Sequence, residues 1–237
     1  MKIEESLQIS TRTYMSLHHI QAAALFSRKA SVIEATFDET YNAEALADHR
    51  SFVVGAVMSA TAFLEAGINE LFADASEHAD SHFKGVGQDI GAVMAAMWSL
   101  GIPRTARYRV LEKYEIALAL ARRSPFDRGI RPYQDVDALI RLRNMLVHYE
   151  PEWIPSDATR ADYEVHHVEK VLRSRFPLNP LMAGGNPFWP DKCLSRGCAT
   201  WAVESALQFT ADFFGRLGVS PLPYEHVRER LATIEVA

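Results

Sequence analysis

"RLRNMLVHYE", residues 141–150, is the stretch on which the reading of the whole chain turns. The residues leading into it from Tyr133 repeat apolar side chains at helical spacing, and Pro151 stops the run. At about 100° per residue, Val136, Leu139, Ile140, Leu142, Leu146 and Val147 cover most of the circumference, so the spacing predicts a largely buried helix. Asp137, Arg141, Asn144 and His148 share one narrow polar strip. Arg143 falls elsewhere, among Leu139, Ile140 and Val147. Its aliphatic stem can lie on apolar surface while the guanidinium reaches an interface or a cleft, but an always-charged group is not left there without a partner. A bland arrangement of the same residues is an Asp137–Arg141 pair at i,i+4, Asn144 and His148 bonded to a loop, and Arg143 in a structural ion pair.

Outward from this helix, 3.6-residue periodicity continues in both directions. A first helix is predicted over about 14–37. Asn42 is placed to cap a long second helix that frays near His78, with Phe52/Val53, Ala56/Val57, Phe63/Leu64, Ile68 and Leu71/Phe72 as its apolar stripe. Shorter helices are predicted in "GQDIGAVMAAMWSLG", "RTARYRVLEKYEIALALARR" and "YEVHHVEKVLRSR", with "PFDRGIRP" as a loop. "FPLNPLMAGGNPFWPD" is predicted as a long ordered loop that buries Phe188 and Trp189. "CLSRGCATWAVESALQFTADFFGRL" is predicted as a strong closing helix with Trp201, Ala202, Leu207, Phe213 and Phe214 on its apolar side, followed by a short amphipathic tail. No segment alternates at strand period and none repeats, so the expected class is all-α: one helical domain over 1–237, with its core at about 43–218 and the N-terminal helix and C-terminal tail as additions.

The 237 residues are 48% hydrophobic and 23% charged, a globular rather than a disordered composition. Polar residues interrupt the longest apolar stretches, so no membrane span is expected. "MKIEESLQIS" carries acids and no apolar run, which argues against a signal peptide and makes a reducing cytoplasm the expected location. Cys193 and Cys198 are too few for a disulfide framework or a zinc site and are expected to pack as small hydrophobes. The net charge of −5 does not favour nucleic acid, yet Arg104 to Arg143 holds ten basic and five acidic residues, a local +5; the 15 basic and 25 acidic residues elsewhere sum to −10. That basic middle is either an anion-binding surface or a set of solvated helix faces.

Arg143-Asn144-Met145-Leu146-Val147-His148 resembles the R-x4-6-H motif of the HEPN superfamily, in which a polar residue often follows the Arg. Arg141 also meets the spacing to His148; Arg143 is preferred because Asn144 follows it. "VMSATAFLEAGINELF" resembles an early core helix of bacterial HEPN groups, so the likeness covers roughly 43–150, with "KCLSRGCATWAVESALQF" included if the closing helix belongs to the core. The resemblance implies a HEPN-type helical bundle with extra helices. It also implies a metal-independent endoribonuclease, as in a toxin or a phage-defence effector, working without a cofactor as a homodimer whose two motif helices share one cleft, with an antitoxin protein as a possible partner. Some HEPN toxins carry His-x-Tyr; here Tyr149 directly follows His148 and Glu150 stands at the position of that Tyr, which departs from the pattern.

The residue types suit that chemistry. Histidine is the side chain suited to proton transfer near neutral pH, so His148 is the natural general acid or base for 2′-OH attack that leaves a 2′,3′-cyclic phosphate. Arg143 offers a planar fork of donors to the non-bridging oxygens. Asn144 is expected to orient His148 or bond a phosphate oxygen. Glu65 and Asn69, on a polar line with Thr61, are expected either to position the motif, together with Arg141, or to make structural hydrogen bonds. Arg104, Arg107, Arg122 and Arg123 are the expected RNA path. Asp74, His78 and His82 have a weak zinc spacing, and His18-His19 and His166-His167 are adjacent pairs that do not face one way on a helix. Phosphate-loop, nucleophile-elbow and zincin motifs are missing. Two other classes remain: a non-catalytic HEPN-like module that binds RNA, a nucleotide or a protein, and a purely structural helical protein.

Overall fold

The computed structural model describes residues 12–37, 42–77, 86–104, 107–151 and 167–233. Among them the secondary structure is helical and includes no strand. The α-helices are α1 (Met15–Thr36), α2 (Ala43–Glu77), α3 (Gln88–Ser99), α4 (Val110–Leu120), α5 (Tyr133–Val147), α6 (His167–Leu172) and α7 (Arg196–Leu217). A π-type turn at Phe188–Lys192 and a 3₁₀ segment at Glu225–Leu231 complete the elements.

Helix α2 is the axis of the bundle; α1, α3, α4, α5 and α7 all pack on it. It starts at the expected cap, where Asn42 Oδ1 accepts from the Ala45 N–H at 3.0 Å. Its 35 residues and a mean hydropathy of 1.6 over its most apolar stretch make it long and apolar enough to cross a membrane, which corrects the expectation that no segment qualifies. Much of that apolar length is turned inward, with Val53, Val57, Leu64, Ile68, Leu71 and Phe72 buried against the surrounding helices.

Helix α1 runs antiparallel to α2. Its first turn meets the far end of α2, where the Ser16 N–H donates to Glu70 at 2.9 Å, and its last turns bring Glu34 to His49 at 2.9 Å. Gly55 permits the close approach, because a Cβ there would stand 2.9 Å from the Phe26 ring. Ile20, Ala23, Ala24 and Ala30 are fully buried, so α1 belongs to the core that the sequence reading began only at residue 43. The tail is also tied down: Arg28 on α1 donates to the Arg230 and Ala232 carbonyls at 3.1 and 2.5 Å, and Tyr224 packs edge-on to Phe63.

Helix α7 closes the bundle between a Ser195 cap, which accepts from the Cys198 N–H at 3.0 Å, and Gly218 in the left-handed conformation. Its Phe209 meets Tyr114 at 4.9 Å and Phe126 at 4.6 Å between ring centres, which draws α4 and the loop before α5 onto the core. Trp189 is buried as expected and meets Tyr149, just beyond α5, at 6.2 Å. Helix α4 is shorter than the sequence suggests. Arg109 is extended, and Glu112 accepts from its N–H at 2.8 Å, so the helix starts at Val110; Arg122 at φ 52° turns the chain away at the other end.

Candidate functional site

Beside α5 lies an open groove of about 950 Å³. The first turn of α4, the length of α5 and the apolar side of α6 form its walls, and α2 contributes Glu65. From α5 it takes Asp137, Ile140, Arg141, Arg143, Asn144 and Met145. Arg143, Asn144 and Arg141 of the sequence-selected set therefore share one surface. His148 does not line it. It stands at the C-cap of α5, exposed, with its N–H donating to the Asn144 carbonyl at 2.9 Å. His148 shares the angular strip of Asp137, Arg141 and Asn144, which do line the groove, so its place outside follows from its position along the axis: the α5 lining ends at Met145, and His148 lies beyond the end of the helix.

The partners of these groups divide them. Arg141 pairs with Asp137 at 2.9 Å, the i,i+4 bridge expected on the bland arrangement. Arg143 is partly buried and has no carboxylate partner among the described residues, so the structural ion pair of that arrangement is not found. Glu65 and Asn69 serve a residue that the sequence reading passed over. Lys113 on α4 has a side chain only 2% exposed; its Nζ donates to Glu65 and, at 3.1 Å, to Asn69 Oδ1. Thr61 donates to the Val57 carbonyl of its own helix at 2.9 Å. The polar line on α2 thus holds α4 rather than touching Arg143 or His148.

The expected RNA path is split. Arg104 and Arg107 precede α4, whereas Arg122 and Arg123 follow it, and 11 residues of helix separate the pairs by about 16 Å. Arg104 lies over the Trp98 ring at 5.4 Å, and Arg123 donates to the Leu217 carbonyl at 3.5 Å. None of the four lines the groove. The arginines that do, besides the two on α5, are Arg109 and Arg128. Arg128 forks onto Glu115 at 2.8 and 2.9 Å, and the Arg109 guanidinium has no carboxylate partner among the described residues, although the Arg109 backbone N–H donates to Glu112. Tyr108 and Tyr133 are the aromatic lining; burial and the neighbouring Glu115 push the Tyr133 phenol up from its ordinary value.

No cluster of metal-ligating side chains occurs among the described residues. Asp74 is buried and pairs with Arg12 at 2.8 Å, while His78, His82 and His166 lie outside the described residues. Cys193 and Cys198 are free and buried; burial pushes the Cys193 thiol up to about 12 and raises that of Cys198 as well.

A signal for Lys113 was present in the sequence: it is the one cation among Val110, Leu111, Tyr114 and Ala117 on the inner face of its helix. No protein-family model matches the chain, and neither a curated protein nor a solved structure matches it.

Proposed function

We propose that the chain is a metal-independent endoribonuclease of HEPN type, with RNA as its substrate and the α5 surface as its site. The observation that carries this reading is Arg143. It stands in a groove beside Asn144 with no carboxylate to neutralise it among the described residues, so an anion can meet its fork of donors. His148 supplies the proton transfer. Since a single chain keeps His148 outside that groove, the working site requires a two-fold homodimer in which α5 of one copy presents its His148 toward the Arg143 of the other. Val147 and Tyr149, 49% and 46% exposed on either side of His148, give such an interface its apolar contact. An antitoxin covering this surface would silence the activity by occupying it.

One observation favours a second reading. The separation of His148 from Arg143 and Asn144 suits a HEPN-like module that binds RNA without cutting it. Purified protein incubated with labelled RNA in excess EDTA separates the two. Cleavage supports the nuclease; retention of RNA without cleavage supports the binding module.

A further inference from the structure

We infer that α3 is a membrane-surface element: its outward strip enters the headgroup region of an anionic bilayer, Leu100 first, with Arg104 and Arg107 meeting lipid phosphates. The inference goes beyond the ribonuclease reading and does not rest on it, since neither arginine lines the α5 groove.

The composition of α3 carries it. Between Ile90 and Pro103 no residue is charged. One side of the helix packs on α2 and α4, where Met94 is buried and Trp98 stacks on Phe72 of α2 at 6.0 Å between ring centres. The opposite side runs through Asp89, Ala92, Val93, Ala96 and Leu100, which share one strip at helical spacing and are all exposed. On a surface helix such a strip is ordinarily polar. Here only Asp89, in the first turn, is polar. Val93 is 46% exposed and Leu100 77%, and an apolar strip left facing solvent marks an interaction surface. The exposure of Leu100 is fixed by the backbone. The Gly101 N–H donates to the Trp98 carbonyl at 2.9 Å, and the Ile102 N–H to the Met97 carbonyl at 2.9 Å. With Gly101 at φ 80°, this pair of bonds closes the helix end and holds Leu100 outward.

Length and charge select a lipid surface as the occupant. Twelve residues span about 18 Å, too short to cross a hydrocarbon core of about 30 Å, so α3 lies on a bilayer and does not span it. Cations gather at the Leu100 end. Arg104 and Arg107 are exposed and have no carboxylate partner among the described residues. Arg104 lies over the Trp98 ring at 5.4 Å, which ties its guanidinium to α3. Tryptophan and arginine both settle at headgroup level, with an apolar body in the acyl region and a polar tip in water. Asp89 stands about 16 Å away at the other end of the helix, so a tilted α3 sinks Leu100 while Asp89 stays in water. The net charge of −5 opposes an anionic surface, which confines binding to this end of the molecule. A protein partner would need a recess shaped to the strip; a bilayer needs only that apolar side chains lead and cations follow.

Flotation of the full chain with vesicles of phosphatidylcholine alone, and of phosphatidylcholine mixed with phosphatidylserine, tests this. The wild type should bind the mixed vesicles more tightly than the neutral ones. Leu100→Glu should weaken that binding by at least about tenfold, and so should the Arg104→Glu, Arg107→Glu double variant. All three positions are exposed, so circular dichroism should stay that of the wild type; Val93→Ser, a milder change on the same strip, gives a second reading of the apolar contribution. Wild type left in solution by both vesicles overturns the proposal, as does binding unmoved by Leu100→Glu and Val93→Ser. Equal binding to neutral and mixed vesicles overturns the headgroup assignment. Wild type left in solution, with a sedimentation coefficient that Leu100→Glu lowers, gives the strip to a second copy of the chain and overturns the lipid surface. Loss of RNA affinity in the double variant, with vesicle binding unmoved, gives both arginines to RNA and overturns it likewise.

Discussion

Arg143 and His148 stand on one helix and meet different surroundings: Arg143 lines the groove between α4, α5 and α6, whereas His148 caps the helix, exposed and beyond the groove. A motif read as a unit in sequence is divided in space because the groove's α5 wall ends at Met145, short of the helix C-terminus where His148 stands. Whether its two halves act together depends on a second copy of the chain.

A two-fold homodimer through the end of α5 is therefore expected at micromolar concentration. Val147 is the test position, since it is half exposed beside His148. Val147→Asp places a charge in the proposed interface and should shift sedimentation from dimer to monomer with helicity retained, because the side chain is half exposed at the helix end and a charge there can reach water. A wild-type monomer by analytical ultracentrifugation would contradict the shared site.

Lys113 anchors α4 to α2 through Glu65 and Asn69. Glu65→Ala leaves a buried ammonium with one neutral partner, and urea denaturation should show a loss of about 2–3 kcal/mol. Breaking a fully buried pair costs roughly 3–5 kcal/mol; the smaller figure reflects the partial exposure of Glu65. Lys113→Met, similar in length and apolar, should cost less than Glu65→Ala. The reverse order would mean that the ammonium reaches water and that the contact does not hold the helix.

The helical class, the cap at Asn42, the boundaries of α2 and α5 and the aromatic side of α7 were legible because apolar spacing and capping residues encode them locally. Three features were not. The start of α4 depends on the Glu112 side chain closing on Arg109, which propensity alone does not distinguish from helix running on from Arg104. The inclusion of α1 in the core depends on a long-range fit at Gly55 and Phe26. The groove depends on α4 and α6 meeting α5, so Arg109 and Arg128 could not be singled out from the other basic residues of the middle segment.

Stability should fall at high pH with a definite sign. Burial raises both thiols above their ordinary value of 9.0, Cys193 to about 12. Above pH 9 the unfolded chain therefore binds fewer protons than the native one, and unfolding free energy declines as pH rises from 9.0 toward about 12. Below 9.0 this contribution is complete. The buried Tyr114 phenol is raised as well and adds the same sign. Urea midpoints measured across this range should drop, and a thiol reagent at about pH 8 should label neither cysteine until the protein unfolds. Rapid labelling of the folded protein would contradict the burial of both.

The basic residues at the two ends of α4 should separate in their effect on RNA affinity. If a strand follows the groove, it passes the α4 start before it reaches the far end, so Arg104→Glu and Arg107→Glu should flatten the salt dependence more than Arg122→Glu and Arg123→Glu do. Equal slopes in the two double variants would return all four to solvated helix faces.

The most direct measurement is end-group analysis of labelled RNA after incubation with wild type and with His148→Ala in excess EDTA. Wild type is expected to leave 2′,3′-cyclic phosphate and 5′-OH ends, and His148→Ala to cut more slowly by a factor of roughly 10²–10⁴. RNA cut equally fast by His148→Ala, or cut by wild type only when metal is supplied, would contradict His148 as the proton-transfer group and with it the proposed reaction.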